Sequence, residues 1–268
     1  MKERVDLLTV KQGLFETREQ AKRAVMAGLV VDAKTGERFD KPGVKIDDTI
    51  EFRLKGEKFK YVSRGGLKLE KALKEFHISV KKKICLDIGA STGGFTDVML
   101  QNAAEKVYAL DVGTNQLAWK IRDDERVIVM EQFNFRNAVL SDFTIGQPEF
   151  ASIDVSFISL ALILPALFDI LLQDGEVVAL IKPQFEAGRE QVGKNGIIKD
   201  SKVHRSVIEK VFKIAENIGF SVLDLTFSPI KGAAGNVEFL VHLKKQETVK
   251  GSDIDIAAVL SQEKEQLN

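Results

Sequence analysis

One cysteine in 268 residues, Cys85, leaves no partner for an intramolecular disulfide, so nothing points to an oxidising compartment. It lies in the apolar run Ile84–Ile88, where a buried, inert thiol is expected. The opening residues, Met1-Lys2-Glu3-Arg4-Val5-Asp6, hold no apolar core of secretory-signal length. The longest apolar stretch, Phe157 to Leu172, has 16 residues and is broken by Pro165 and Asp169, short of the roughly 20 that a spanning helix needs. A cytoplasmic chain without stable membrane association is therefore expected. No segment repeats another. Net charge is also absent, with 39 basic against 39 acidic side chains.

That zero hides a division. Residues 1–83 carry 21 basic and 13 acidic groups, net +8; residues 84–245 carry 16 and 21, net −5; the remainder carries 2 and 5, net −3. A polyanion is expected to bind the basic end. Within it a helix is expected from the N-cap Thr17 to the stop at Gly28. Ala21, Ala24 and Val25 make its apolar face, and Arg18, Lys22 and Arg23 its basic one. Short strands and turns follow to about residue 54. From Lys55 to Lys60 the chain becomes polar and basic, which sets a boundary near 60. The expected division is a small α+β domain over 1–60, a linker over 61–66, a catalytic domain over 67–245 and a polar, weakly ordered tail over 246–268 with one short helix around 253–262. Between 84 and 243 strand-like runs alternate with helical ones, including a helix over Phe157–Leu172, which predicts an α/β, Rossmann-like domain with a mostly parallel sheet.

The first strand, Ile84-Cys85-Leu86-Asp87-Ile88, runs into Gly89-Ala90-Ser91-Thr92-Gly93-Gly94-Phe95-Thr96. Glycines at such a turn let a ligand approach the backbone. The spacing G-x-x-x-G-G departs from the G-x-G-x-x-G of dinucleotide sites and argues against NAD. Asp87 before the turn suits a ligand carrying positive charge, such as a sulfonium with an ammonium group. Asp111 ends the next strand, where a ribose diol would be held, and Asn134 follows the third, within reach of an adenine. In that order these features point to S-adenosylmethionine, held by Asp87, Gly89, Ser91, Gly93, Gly94, Phe95, Asp111, Asn134 and Asp154.

Three segments carry a resemblance: D-I-G-A-S-T-G-G-F-T at 87–96, S-I-D-V-S-F-I-S at 152–159 and L-I-K-P-Q-F-E at 180–186. With them the chain resembles the TlyA-type ribosomal RNA methyltransferases, whose members are often labelled hemolysins. Its catalytic part is similar to the wider FtsJ-type ribose methyltransferases, and its first 60 residues resemble the RNA-binding module first seen in ribosomal protein S-four. The resemblance implies methylation of cytidine 2′-hydroxyls in ribosomal RNA, with ribosomal RNA or subunits as partners and no metal. It also implies a Lys-Asp-Lys-Glu tetrad at Lys68, Asp154, Lys182 and Glu238. A ribose hydroxyl is a poor nucleophile, so a site must orient it and take its proton. Two lysines supply positive potential and two carboxylates compensate them. Lys182 is the expected proton acceptor, Asp154 steers it, and Lys68 and Glu238 place the hydroxyl. Arg18, Lys22, Arg23 and Arg64 are the expected RNA contacts. Asn134 departs from the aspartate that the wider pattern often has there.

The glycine-rich, charged segment Phe185–Ile198 is expected to be a mobile loop beside the site. Two rival readings stand beside the enzyme: a non-catalytic RNA-binding or ribosome-assembly factor, and a membrane-lytic hemolysin.

Overall fold

A computed structural model of the chain describes residues 2–55, 60–232, 234–249 and 251–267. They fall into two compact units, Met1–Lys60 and Tyr61–Asn268. The first runs β1 (Lys2–Arg4), α1 (Val5–Lys11), α2 (Arg18–Met26), β2 (Val30–Asp32), β3 (Arg38–Phe39), β4 (Lys45–Asp47) and β5 (Phe52–Leu54). β1 pairs antiparallel with β4, and β2 lies antiparallel between β3 and β5. Thr17 starts α2 with a reciprocal cap: its hydroxyl accepts from the Gln20 amide, and the Gln20 side chain accepts from its own. At the other end Gly28 has φ +68°, where a glycine ends a helix at little cost. Between the caps Ala24 and Val25 meet Val5, Leu8, Val30 and Phe52 in a small apolar core.

The second unit comprises α3 (Gly66–Glu75), β6 (Ile84–Ile88), α4 (Gly94–Gln101), β7 (Lys106–Leu110), α5 (Trp119–Arg122), β8 (Val127–Met130), β9 (Phe150–Ile153), α6 (Leu164–Ile170), β10 (Glu176–Ile181), α7 (Pro183–Glu186), α8 (Ser201–Ile218), β11 (Phe220–Phe227), β12 (Phe239–Lys245) and α9 (Ile256–Leu267). Its seven-stranded sheet has the order β11-β12-β10-β9-β6-β7-β8. All neighbours are parallel except β12, which is antiparallel to both β10 and β11. The chain winds outward from β6 to β8, then returns to lay β9 on the other side of β6. Strand order thus reverses between β6 and β9, the place where doubly wound, Rossmann-like sheets open a binding crevice. Apolar residues on alternate strand positions serve two cores. Cys85, Val107 and Val178 pack with Leu69, Ala72, Val98 and Met99 of α3 and α4. Leu86, Ile88 and Ala179 pack with Leu164, Leu167, Ile208 and Val211 of α6 and α8.

The structure departs from the sequence expectations in three places. Residues 61–66 are no linker: Tyr61 is buried in the second unit against Gly66, and the Val62 amide donates to Asp97 at 2.9 Å. The stretch 157–172 is not one helix. Phe157 has φ +63°, a single 3₁₀ turn covers Leu160–Leu162, and Pro165, unable to sit inside a helix, opens the short α6 instead. The tail is not merely polar either, because Ile256, Leu260 and Glu263 form one buried face of α9, in contact with α8 and β11.

Candidate active site

The turn after β6 is built by close approach. Gly89 has φ +86°, and a Cβ on it would lie 2.6 Å from the carbonyl oxygen of Asp154, so only glycine lets this turn meet the end of β9. Gly93, at φ +94°, leads into α4, where the missing Cβ of Gly94 makes room for the turn at Ser63–Gly66. Asp87 sits beneath the loop, fully buried. Its Oδ2 accepts from the Thr96 hydroxyl at 2.6 Å and its Oδ1 from the Ser152 hydroxyl at 3.0 Å. Burial pushes its carboxyl up to about 6. The structure thus makes Asp87 a brace between β6, α4 and β9, not a wall of the cavity described below.

Four charged side chains converge at the switch point from separate segments. Lys68 Nζ, from the first turn of α3, lies 2.7 Å from Glu238 Oε2 and 3.5 Å from Asp154 Oδ2. Lys182 Nζ lies 2.6 Å from Asp154 Oδ1 and donates to Ser156 Oγ at 3.0 Å. Asp154 follows β9 and Lys182 follows β10, both at the carboxyl edge. β12 runs the other way, so it begins at that edge. Ile181 pairs with Phe239, so Lys182 and Glu238 lie just beyond the last pair on adjacent strands. Two cations and two anions of low exposure compensate each other, which keeps the cluster tolerable with so little water.

The tetrad opens on a cavity of about 650 Å³ that Arg64, Gly89, Ser91, Gly94 and Phe95 also line. Arg64 is tied down as well, donating to the Lys231 carbonyl at 2.8 Å. Three further sequence candidates lie outside that lining. Gly93 packs against Leu117 and Ile121. Asp111 accepts from the amides of Ser91 and Gly113, both at 2.8 Å, and so fixes the loop from the side. Asn134 caps the 3₁₀ turn Phe135–Asn137, accepting from the Arg136 amide at 3.2 Å. In the first unit Arg18 donates to the buried Asp6 at 3.0 Å, whereas Lys22 and Arg23 face solvent. Arg4, with Arg18 beside it, holds the Asp6 carboxyl down to about 2.

Sequence reasoning missed several residues. Ser156 touches Lys182, two positions past Asp154. Asn236, two before Glu238, is buried; it accepts from Ile198 and donates to Gly196, which anchors the 193–198 segment beside the cavity. Phe157 is 90% exposed at the cavity wall, its ring 5.0 Å from that of Phe185. An aromatic side chain beside a strand-end acid was a signal for it. The 185–198 segment holds the end of α7 and two 3₁₀ turns. Among the described residues no cluster of His, Cys, Asp or Glu could hold a metal ion, and no helix is long and apolar enough to cross a membrane.

Residues 61–245, well over half of the chain, match the FtsJ-like methyltransferase family, and the chain belongs to it. Within that class its relatives are narrower in kind. The chain is 60% identical over 242 residues to the Bacillus subtilis protein YqxC, whose name assigns it provisionally as an rRNA methyltransferase; the match covers 90% of this chain and 85% of that one. It is 40% identical over 245 residues to the 16S/23S rRNA (cytidine-2′-O)-methyltransferase TlyA of Mycobacterium tuberculosis, covering 91% and 90%. A solved structure from Streptococcus thermophilus, provisionally labelled a hemolysin, superposes with TM-score 0.80 at 64% identity, covering 99% of this chain and 97% of that one.

Proposed function

We propose that the chain methylates the 2′-hydroxyl of a cytidine ribose in ribosomal RNA, with S-adenosylmethionine as methyl donor. The observation that carries this reading is the Lys182–Asp154 contact at 2.6 Å, with Lys68 between Asp154 and Glu238, all on one cavity at the sheet's switch point. A cavity of about 650 Å³ suits a nucleoside-sized ligand. Its floor is a loop whose close approach to the end of β9 requires glycine at position 89, and a largely buried carboxylate, Asp154, lines the same cavity, which fits a ligand with a cationic end.

S-adenosylmethionine supplies an electrophilic methyl group when bound. Gly89, Ser91, Gly94 and Phe95 would hold it along the loop and Asp154 would meet its charged end, while Asp111 keeps the loop in place through Ser91. Lys68 and Glu238 orient the ribose hydroxyl. Lys182, a cation in its resting ion pair with Asp154, would first lose a proton to water. Its neutral amine would then take the hydroxyl proton as the oxygen bonds to the methyl carbon and the carbon–sulfur bond breaks, and the Asp154 carboxylate would pair with the ammonium that results. Phe157 offers an apolar face to a base next to the target ribose. The first unit, an S-four-type module on this reading, binds the RNA backbone with Lys22, Arg23 and Arg18, and in the second unit Arg64 is a further RNA contact at the cavity rim. Such a substrate places the protein in the cytoplasm.

Mapping ribose methylation in ribosomal RNA from cells with and without the protein tests this. A position lost with the protein, regained with wild type and not with Lys182→Ala, is the expected result. No change at any position, or full restoration by Lys182→Ala, refutes it, and the latter outcome favours an assembly factor.

A further inference from the structure

We propose that Glu186 is a positioning residue that sets the distance between Asp154 and Lys182; this rests on the reading of that pair as the reacting one. Direct pairing between β9 and β10 does not reach either residue. The last pair between β9 and β10 is Ile153 with Ala179, one residue before Asp154 and three before Lys182. The two loops beyond that pair need another tie, and Glu186 supplies it.

Its carboxylate is 3% exposed and bridges the loops with both oxygens. Oε1 accepts from the Leu160 amide at 2.7 Å and Oε2 from the Ser159 hydroxyl at 2.6 Å. Ser159 in turn accepts from the Ala161 amide at 3.2 Å, which starts the 3₁₀ turn. On its own side Glu186 ends α7, which starts one residue after Lys182, and its carbonyl accepts from Lys210 Nζ of α8 at 2.7 Å. One side chain thereby joins the loop bearing Asp154, Ser156 and Phe157 to the turn bearing Lys182 and Phe185, and α8 backs both. Glu186 is absent from the cavity lining, so it acts through the others rather than on substrate. Burial raises its carboxyl above the usual carboxylate range, a cost that a purely local turn would not require.

The two groups it joins are an amide donor and a hydroxyl that can donate or accept. An amide side chain fits them too: the oxygen of Gln accepts from Leu160 while its nitrogen donates to Ser159. Alanine leaves the Leu160 amide and the Ser159 hydroxyl proton without an acceptor.

Single-turnover methyl transfer to ribosomal subunits, at saturating S-adenosylmethionine and normalised to folded protein by circular dichroism, tests the proposal. Glu186→Gln keeps turnover within about three-fold of wild type. Glu186→Ala loses about 100-fold in kcat with little change in KM or in cofactor affinity, the scale that a displacement of about 1 Å costs. Ser159→Ala keeps the Leu160 bond and loses about 3- to 10-fold; it carries the test where Glu186→Ala does not fold. Wild-type turnover per folded molecule in Glu186→Ala, or in Ser159→Ala, overturns the proposal. So does a Glu186→Gln enzyme as slow as the alanine variant, which would assign the charge a chemical part. A fully active Lys182→Ala enzyme in the same assay sinks the reading of the pair instead, leaving the Glu186 ratios to be judged alone.

Discussion

Lys182 is the residue whose replacement discriminates best between two chemical roles. Its Nζ lies 2.6 Å from Asp154 Oδ1 and 3.0 Å from Ser156 Oγ, with the side chain about nine-tenths buried. Removal to alanine takes away a positioned proton acceptor, an effect on the order of 10²–10⁴ in rate, or about 3–5 kcal/mol of barrier. Asp154 keeps Lys68 at 3.5 Å as a partner, so the fold and cofactor binding survive the change. Lys182→Arg is the sharper test. A guanidinium preserves the positive charge and can pair with Asp154, but it holds its proton at any usable pH. A proton acceptor therefore leaves Arg as inactive as Ala, whereas a purely electrostatic group leaves Arg with much of the rate. We expect the first outcome in single-turnover transfer to ribosomal subunits, with calorimetry to verify cofactor affinity. An Arg enzyme within a few-fold of wild type would refute the acceptor role, and the proton would then leave through Asp154 or water.

Asp87 gives a pH test of the buried brace. Its folded value of about 6 lies above the ordinary 3.8, so its contribution to stability is complete below about 3.8 and is lost as pH rises through about 6. Asp87→Asn keeps both hydroxyl contacts without the ionisation; it should gain up to about 3 kcal/mol on wild type between pH 4 and 7.5, and equal unfolding midpoints at both pH values would sink this account. Gly89→Ala forces a side chain to φ +86° against the Asp154 carbonyl, so a loss of at least about 1–2 kcal/mol in denaturant unfolding is expected together with slower turnover. Replacing Arg18, Lys22 and Arg23 by Gln should weaken RNA binding and flatten its salt dependence by about 0.7–0.9 log units per lost phosphate contact. An unchanged salt slope would make α2 a solvated face.

What the sequence determined by itself is whatever is written within a turn or two of chain. Thr17 and Gly28 bracket α2 because a cap and a left-handed stop act on neighbouring amides. The glycine turn after Ile88, and the strand ends that carry Asp154 and Lys182, follow from apolar runs meeting small or charged residues. The basic face of α2 needs only helical spacing. By contrast the mostly apolar 157–172 run carries no clear period that separates a helix from packed turns, and Pro165 decided it.

Tertiary structure decided what lies far apart in sequence. Lys68 meets Glu238 across 170 residues because α3 packs on the sheet face where β12 begins, and no local pattern encodes that meeting. Tyr61 looked like linker until its ring found the place left by Gly66. Asp87 read as a ligand contact, yet the order of β6, β9 and α4 turned it inward between two hydroxyls. Glu186 stood only at the end of the L-I-K-P-Q-F-E segment, with no role legible for it, since a carboxylate in a short turn is ordinarily solvated, and only the return of the chain from β8 to β9 brought Ser159 and Leu160 to it. Caps and periodicity act on neighbouring residues, whereas burial and charge pairing belong to whichever segments the sheet order makes adjacent.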